Sequence, residues 1–401
     1  MALKAVHVSD VPHIDQVPDN ALLAICPNRV SKGVELGGNA FRASKFLVIG
    51  HRGNGMNTLQ SSDRRMRAIK ENSILSFNAA SKFPIDFVEF DVQVTKDNCP
   101  VIFHDDFILS INNISMFDSD LGFQGTVFEK RITELSLSEF LYYGPQNDSQ
   151  EGNCLLRKTH DGKIVNWNVE TDDKLCTLEE AFQKVESSLG FNIELKFDDH
   201  IVYDHSYLTG VLQAILQVVF ENAKERPIIF STFLPDAALL VRKLQATYPV
   251  FFLTNGGSEL YHDVRRNSLE EALKLCLEGG LQGIVSEVRG IFRNPGTVKK
   301  IRESELSLLT YGKLNNVAEA VYMQHLMGIE GVIVDLVQEM TESLADLITP
   351  TKAIGTGEEG KEEEGSEGNE GKVKVEGDIK PQFSERELSF LLKLIPELIE
   401  L

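Results

Sequence analysis

The residue types that best indicate chemistry lie in a short run at 88–94, Val-Glu-Phe-Asp-Val-Gln-Val. Apolar and polar residues alternate there, so Glu89 and Asp91 share one face of a strand, about 6.5 Å apart along its axis. In a strand buried on both faces, two unpaired carboxylates would be costly, whereas one divalent cation would satisfy both. An exposed strand face with scattered acids is the alternative. The pattern favours a metal site.

A second run at 191–197, Phe-Asn-Ile-Glu-Leu-Lys-Phe, repeats this alternation. Asn192, Glu194 and Lys196 occupy its polar face. Glu194 would be a third carboxylate ligand, and all-oxygen ligation suits Mg²⁺, with Ca²⁺ as the alternative, better than zinc. Lys196 would either bind a phosphoryl oxygen or neutralise Glu194.

Two histidines complete the candidate site. His51 ends the first apolar run and is followed by Arg52, whose planar fork suits phosphate, and by Gly53, which lets the backbone turn. His104 follows a short apolar segment after the turn at Asp97-Asn98, so that segment should lie against the strand of Glu89 and Asp91. A lone histidine is usually a core residue. Two histidines that flank a carboxylate-bound metal predict an acid–base pair. One ring would take a proton from the nucleophile, and the other would donate a proton to the leaving alkoxide.

Eight apolar runs must position these side chains, and amphipathic segments separate most of them. Alternating strands and helices with eight strands predict a (β/α)8 TIM barrel, with an open doubly wound sheet as the alternative, because periodicity cannot show closure. The expected strands are residues 46–50, 87–95, 191–197, 227–233, 250–254, 281–286, 307–311 and 331–335. The expected helices include residues 72–82, 178–189, 235–247, 268–278 and 317–327.

The barrel should span residues 46–349, with three further segments. A polar, turn-rich insertion at 109–174, after the second strand, should form a small lid near the barrel mouth. Residues 352–380 are Gly, Glu and Lys in loose repetition, which predicts a disordered acidic linker. An amphipathic C-terminal helix at 383–401 should dock on the barrel, a partner-binding or membrane-surface role being the alternative.

The composition excludes several classes of function. The chain has 60 acidic and 40 basic residues among 401, and a net charge of −20 repels nucleic acid and anionic lipid headgroups. Five widely spaced cysteines indicate free thiols rather than disulfides or a zinc site. No run reaches the roughly 18–20 apolar residues of a membrane span. Residues 1–45 form a leader without the pattern of a secretory signal and more acidic than a typical transit peptide. The oligomeric state stays open.

Six motifs follow one another between residues 46 and 349 in a specific order: His-Arg-Gly at 51–53, Glu-Asn-Ser at 71–73, Glu-Phe-Asp-Val at 89–92, His-Asp at 104–105, Ile-Glu-Leu-Lys at 193–196 and Val-Ile-Val-Asp at 332–335. Together they resemble the glycerophosphodiester phosphodiesterase family, and its plant members in particular.

The resemblance implies a role for each site residue and a reaction. It implies that the catalytic acid–base pair is His51 and His104, that the divalent metal is bound by Glu89, Asp91 and Glu194, that phosphate is held by Arg52 and Lys196, and that Glu71 and Asn72 open the helix after the first strand and support the site. A glycerol hydroxyl or water would attack phosphorus, giving sn-glycerol 3-phosphate and choline, ethanolamine or a similar alcohol. Since plant relatives include plastid enzymes, the resemblance implies a plastid location, with the cytoplasm as the alternative.

One departure bears on the substrate range. Many family members carry Trp-Thr on the seventh strand, where this chain has Tyr311-Gly312, and that strand shapes the glycerol side of the pocket. The sole tryptophan, Trp167, lies in the insertion and cannot replace it by sequence position. The resemblance therefore leaves the substrate range open, with Tyr311 as the residue that would affect it.

Three rival functions remain. A barrel acting on phospholipid headgroups would need an apolar surface for acyl chains, and the sequence shows no obvious apolar loop to provide one. An inactive barrel could serve as a binding or regulatory protein through its acidic tail, but every expected catalytic residue is retained. A Mg²⁺ enzyme that performs enolisation would not need a phosphate-facing arginine beside its histidine.

Overall fold

The protein is described from a computed structural model, which covers residues 41, 43, 45–111, 127–145, 155–159, 161–348, 386–387 and 390–391. The linker at 352–380, most of the leader at 1–45 and most of the C-terminal helix at 383–401 lie outside the described residues, so these predictions stay untested. The four described residues of the C-terminal segment are helical.

Fourteen strands and ten α-helices make up the described part of the chain. The strands are β1 (Leu47–Gly50), β2 (Phe87–Val94), β3 (Pro100–Ile102), β4 (Phe107–Ile111), β5 (Val127–Arg131), β6 (Leu155–Lys158), β7 (Ile164–Asn166), β8 (Cys176–Thr177), β9 (Gly190–Leu195), β10 (Ile228–Thr232), β11 (Val250–Thr254), β12 (Gly283–Glu287), β13 (Ser307–Tyr311) and β14 (Gly331–Val334). The helices are α1 (Ile74–Ala80), α2 (Leu137–Leu141), α3 (Leu178–Lys184), α4 (His205–Asn222), α5 (Pro235–Leu244), α6 (Leu269–Gly279), α7 (Val288–Arg293), α8 (Gly296–Glu303), α9 (Ala318–Met327) and α10 (Val337–Ile348).

Eight of the strands form a closed parallel barrel in the order β1-β14-β13-β12-β11-β10-β9-β2, and β2 pairs again with β1. The closing pairs are parallel, with Leu47 opposite Gly331 and Ile49 opposite Phe87. These are the eight strands expected from the sequence. The (β/α)8 TIM barrel is confirmed, and the open sheet is wrong because the sheet has no free parallel edge at β1 or β2.

The two faces of the barrel strands pack in two separate apolar layers. Inside the barrel, Ile49, Phe251 and Leu309 belong to one buried cluster. Outside it, Phe90 and Phe191 pack between strands and helices in a larger cluster. Because side chains alternate along a strand, the apolar face of β2 lies against the helices and its polar residues point into the barrel. This directs Glu89, Asp91 and Gln93 toward the barrel mouth.

The polar insertion folds into an antiparallel unit. Strand β3 pairs antiparallel with β2, with Ile102 opposite Val92, so the expected position of the segment before His104 is confirmed. A separate sheet has the order β5-β4-β6-β7. It packs over a buried cluster that includes Phe103, Phe140 and Trp167. The sheet begins at Phe107, two residues before the expected insertion, and the domain boundaries stay a prediction.

Four helices of the barrel lie outside the segments named from the sequence: α4, α7, α8 and α10. The largest is α4, whose buried residues Leu208, Leu212, Leu216 and Val219 repeat at helical spacing. Its N-cap Asp204 accepts a hydrogen bond from the backbone of residue 207. The signal was therefore present in the sequence.

Within the described ranges, no helix has both the length and the apolar content needed to span a bilayer.

Candidate active site

Two buried carboxylates, Glu89 and Asp91, meet the partly buried Glu194 on the neighbouring barrel strands β2 and β9. Asp91 lies directly opposite Glu194 across the strand pair, and Glu89 is two residues earlier on β2. Each residue offers an oxygen that lies within 4.8 Å of the others. Glu89 is 3% exposed and Asp91 1%, so water screens their mutual repulsion poorly. The site thus concentrates negative charge where a TIM barrel places its chemistry.

The protonation of these carboxylates follows from burial and their neighbours. Burial, reinforced by the charge of Asp91, raises the pKa of Glu89 above its ordinary value. Burial also raises the pKa of Glu194, which Lys196 only partly offsets. For Asp91 burial is outweighed by His104, Arg52 and Lys196, so its pKa is lowered. The nearby cationic residues, Arg52 and Lys196, do not fully offset the negative charge that Glu89 and Glu194 carry when ionised.

The carboxylates fit a divalent cation. Glu89 accepts the Arg52 backbone N–H at 3.0 Å through Oε2, while its buried Oε1 has no hydrogen-bond partner among the described residues. An unpartnered buried carboxylate oxygen is costly unless a cation binds it. The donor set contains only oxygen, which suits Mg²⁺ or Ca²⁺.

His51 is positioned by the first and last strands of the barrel. Its Nδ1 lies 2.7 Å from Asp335 Oδ1, just beyond β14, and its Nε2 is 3.9 Å from Glu89 Oε2. Asp335 is itself held by the Met56 N–H at 3.0 Å and the Asn316 amide at 3.0 Å. Burial opposes a charged ring, but the charge and hydrogen bond of Asp335 outweigh it, so the pKa of His51 is raised.

The turn after His51 requires glycine at position 53. Gly53 has a φ of +94°, and a Cβ there would lie 2.4 Å from Ser76 Oγ. Any side chain would both strain the backbone and collide with α1. The expectation that Gly53 allows this turn is confirmed.

His104 follows β3 and has a different environment. Its Nδ1 lies 2.8 Å from Asp105 Oδ1, and that carboxylate oxygen also accepts Arg157 Nη2 at 2.9 Å. Burial, followed by the positive charges of Arg52 and Lys196, lowers the pKa of His104 well below its ordinary value. The surroundings of His104 therefore favour a neutral ring, whereas those of His51 favour a protonated ring.

The two predicted phosphate-binding cations are paired with carboxylates in this structure. Arg52 donates from Nη1 to Glu71 at 2.8 Å, and its Nε lies 3.4 Å from Asp91. Lys196 Nζ lies 3.0 Å from Glu194 and 3.7 Å from Asp91. Both cations therefore lie beside the carboxylates of the site, and their contact with phosphate stays a prediction.

The predicted supporting residues occupy different positions. Asn72 donates to Asp91 Oδ2 at 2.8 Å. Glu71 and Asn72 precede α1 rather than opening it, because Ser73 is the N-cap and the helix begins at Ile74. Tyr311 lies at the end of β13, where its hydroxyl donates to Asn255 Oδ1 and lies 3.4 Å from the Thr254 carbonyl.

Three residues that contact the site were not assigned roles from the sequence: Asp335, Asp105 and Arg157. Asp335 and Asp105 end motifs that the sequence shows, and a polar residue directly after a barrel strand or beside a histidine could have indicated them. No local signal marks Arg157, which lies on β6 in the insertion.

The barrel mouth also exposes apolar side chains, which the sequence did not lead us to expect. Val202 is 100% exposed in the loop after β9, and Leu260 is 86% exposed in the loop after β11. Arg266 joins these loops by pairing with Asp199 at 2.6 Å. Two exposed aliphatic side chains in separate loops do not form an apolar surface, so the expectation that no apolar loop serves acyl chains stays a prediction.

Known proteins resemble this chain in sequence and in fold. The family model described as "Glycerophosphoryl diester phosphodiesterase family" matches residues 51–339. The chain is 60% identical to "Glycerophosphodiester phosphodiesterase GDPD1, chloroplastic" of Arabidopsis thaliana and 56% identical to "Glycerophosphodiester phosphodiesterase GDPD2" of the same plant, each over 100% of both chains. A solved Oleispira antarctica phosphodiesterase in complex with the product sn-glycerol-3-phosphate matches with a TM-score of 0.50 and 18% identity, over 75% of this chain and 96% of that chain. At that identity the likeness concerns the fold.

Proposed function

The chain belongs to the glycerophosphoryl diester phosphodiesterase family, and from this membership we propose that it hydrolyses glycerophosphodiesters to sn-glycerol 3-phosphate and an alcohol. It is an enzyme, a glycerophosphodiester phosphodiesterase. Its substrates include glycerophosphocholine and glycerophosphoethanolamine. The Arabidopsis relatives carry this activity in their names, and the Oleispira phosphodiesterase holds the same product.

The main support for this function is the pair of histidines, His51 and His104, beside the carboxylates. Each ring has its Nδ1 bonded to an aspartate, Asp335 for His51 and Asp105 for His104. The Nε2 atom of each ring is therefore the one that exchanges a proton with substrate. A pair of rings oriented in this way suits general acid–base catalysis.

The two histidine rings account for every proton transfer in the proposed reaction. One neutral Nε2 takes the proton of a glycerol hydroxyl or of water, and that oxygen bonds to phosphorus. The bond between phosphorus and the alcohol oxygen breaks, and that oxygen receives the proton held on the other Nε2. If the glycerol hydroxyl attacks, water later opens the cyclic phosphate by the reverse proton transfers.

The remaining charged residues bind and orient the phosphate. A divalent cation held by Glu89, Asp91 and Glu194, with Mg²⁺ favoured and Ca²⁺ the alternative, would supply positive charge to the phosphoryl oxygens. Lys196, with its Nζ at the edge of the carboxylates, attracts a phosphoryl oxygen. Arg52, 8% exposed and with its Nε 3.4 Å from Asp91, contributes positive charge and orients that carboxylate.

We assign the protein to the plastid. The support is the chloroplastic GDPD1 of Arabidopsis, which matches this chain over its full length. A fluorescent fusion of the full chain would co-localise with chlorophyll, whereas diffuse cytoplasmic fluorescence would favour the alternative.

The test of the activity is glycerol 3-phosphate release from glycerophosphocholine with Mg²⁺, with Ca²⁺ and with EDTA. Release that depends on a divalent ion supports both the reaction and the cation. Release that persists in EDTA refutes the cation requirement alone.

Lysophosphatidylcholine belongs in the same assay because Val202 and Leu260 are exposed at the barrel mouth. Turnover of that lipid in preference to glycerophosphocholine would favour the lipid-headgroup alternative. No turnover of either substrate by folded protein would favour a binding or regulatory role.

A further inference from the structure

One arginine of the inserted sheet reaches the barrel. Arg157 lies on β6, yet its side chain is only 11% exposed. Its Nη2 lies 2.9 Å from Glu71 Oε1 and 2.9 Å from Asp105 Oδ1, and its Nη1 donates to the Asn57 carbonyl at 3.3 Å. A single guanidinium thus bridges two acidic residues that come from different segments of the barrel.

The orientation of this guanidinium is fixed by the insertion. Its central carbon lies 4.2 Å from the centroid of the Trp167 ring, which provides a cation–π contact. Trp167 is 2% exposed, and its Nε1 donates to Asn57 Oδ1 at 3.0 Å. Because the ring is buried and hydrogen-bonded, it provides a rigid support for Arg157.

Both partners of Arg157 contact residues of the proposed reaction. Asp105 accepts from the ring of His104 at 2.8 Å. Glu71 accepts Arg52 Nη1 at 2.8 Å, and Arg52 Nε lies 3.4 Å from Asp91. Asp105 therefore links Arg157 to His104. On the other side, Glu71 and Arg52 link Arg157 to Asp91 of the proposed metal site.

We propose that Arg157 is a positioning residue that fixes His104 through Asp105 and Arg52 through Glu71, so that the inserted sheet is part of the active site. The inference rests on the proposed hydrolysis. It assigns Arg157 no contact with substrate. Its effect is geometric, because reacting groups displaced by about 1 Å can lose about 10²-fold in rate.

A purely structural role would give a different result. Arg157 also neutralises the buried Glu71, so its loss could lower stability without changing the chemistry of the folded fraction. The two roles differ in kcat measured per folded molecule. They also differ in the response to an added guanidinium group.

The experiment compares Arg157→Met, Arg157→Lys and Arg157→Ala, with Lys130→Met as the matched control. Lys130 lies on β5 of the same sheet, separated from β6 by β4, and pairs with Glu139 at 3.2 Å. Glycerophosphocholine turnover is measured beside the melting temperature of each variant. We expect Arg157→Met to lower kcat by about 10²-fold with KM within about threefold. Arg157→Lys should recover part of this loss, and Lys130→Met should be unchanged.

Methylguanidinium should restore more turnover in Arg157→Ala than methylammonium does, because only the planar guanidinium can contact both carboxylates and the Asn57 carbonyl while it stacks on Trp167. A double-mutant cycle gives a second measure, because Arg157→Met should cost far less in an Asp105→Asn background. If Arg157→Met lowers only the melting temperature, or costs the same in both backgrounds, the inference is wrong. If wild type turns over no diester, the proposed function fails first and this inference fails with it.

Discussion

The two histidines of the site are held by different regions of the molecule, and the regions place them in opposite electrostatic surroundings. His51 is held entirely by the barrel, through Asp335, whose other partners are the neutral Met56 N–H and the Asn316 amide. His104 is held by Asp105, whose charge is shared with Arg157 of the insertion. Asp335 pairs with His51 as its one charged partner among the described residues, whereas Asp105 is shared between His104 and Arg157.

The difference indicates how two histidines can take unequal roles. Among the described residues no lysine or arginine pairs with Asp335, so its charge stabilises a protonated His51. Arg157 offsets the charge of Asp105, and Arg52 and Lys196 further disfavour a proton on His104. This comparison favours His51 as the acid that protonates the leaving alcohol and His104 as the base.

The largest expected effect comes from removing either ring. His51→Ala and His104→Ala should each lower turnover of glycerophosphocholine by about 10²–10⁴-fold, because each removes one proton transfer. With a 4-nitrophenyl phosphodiester, whose leaving group needs no acid, His51→Ala should recover most of its activity and His104→Ala should not. Recovery in His104→Ala alone would reverse the two roles.

A smaller effect separates the two aspartates. Asp335→Asn should reduce kcat by about 10²-fold, since it removes an unshared charge from His51 and changes the hydrogen bond that orients it. Asp105→Asn should cost less, because Arg157 already offsets that charge. Steady-state kinetics of both variants at pH 7 check this order, and an equal loss in both would remove the basis of the comparison.

Glu71 joins the two regions, and its replacement should affect stability. It is 1% exposed at the side chain and pairs with Arg52 and Arg157, whose charges outweigh burial and lower its pKa strongly. Glu71→Gln should lower the free energy of unfolding at pH 7 by about 3 kcal/mol, at the low end for a buried ion pair because each arginine keeps a second carboxylate.

The sign of the pH dependence follows from the lowered pKa. The stabilisation is fully present above the unfolded value of about 4.5 and is lost as the pH falls toward the folded value. Urea unfolding at pH 7 and below pH 4.5 should therefore show a gap between wild type and Glu71→Gln that narrows in acid. A gap that stays constant with pH would show that the ion pairs do not cause it.

The smallest expected effect is that of the tail. Removal of residues 352–401 should leave kcat within about twofold, because the described barrel strands and all the proposed site residues precede it. Turnover by the truncated chain, with its melting temperature as a control, checks this. A loss of cation-dependent activity would place the tail in the barrel.

The sequence was sufficient for the barrel strands and for the residues that alternate along them. Buried parallel strands read as apolar runs, and Glu89, Asp91 and Glu194 stand out because carboxylates interrupt such runs. Helix α4 was not named from the sequence, although its buried residues recur at helical spacing. The information for that helix is therefore present in the sequence.

The partners of the two rings depend on contacts that the sequence does not show. His51 and Asp335 are 284 residues apart, and Arg157 is 86 residues from Glu71 and 52 from Asp105. Closure of the barrel brings β14 beside β1, so a barrel prediction already implies the first contact. The second depends on how the inserted sheet packs on the barrel, which no local pattern specifies.

The most direct test of the account is glycerol 3-phosphate release from glycerophosphocholine by wild type and by the His51→Ala/His104→Ala double variant. Both proteins are first shown to be folded by circular dichroism. We expect wild type to release glycerol 3-phosphate and choline in equal amounts, and the double variant to release neither at a measurable rate. Release by the double variant at the wild-type rate would contradict the account, because the two rings would then take no part in the reaction.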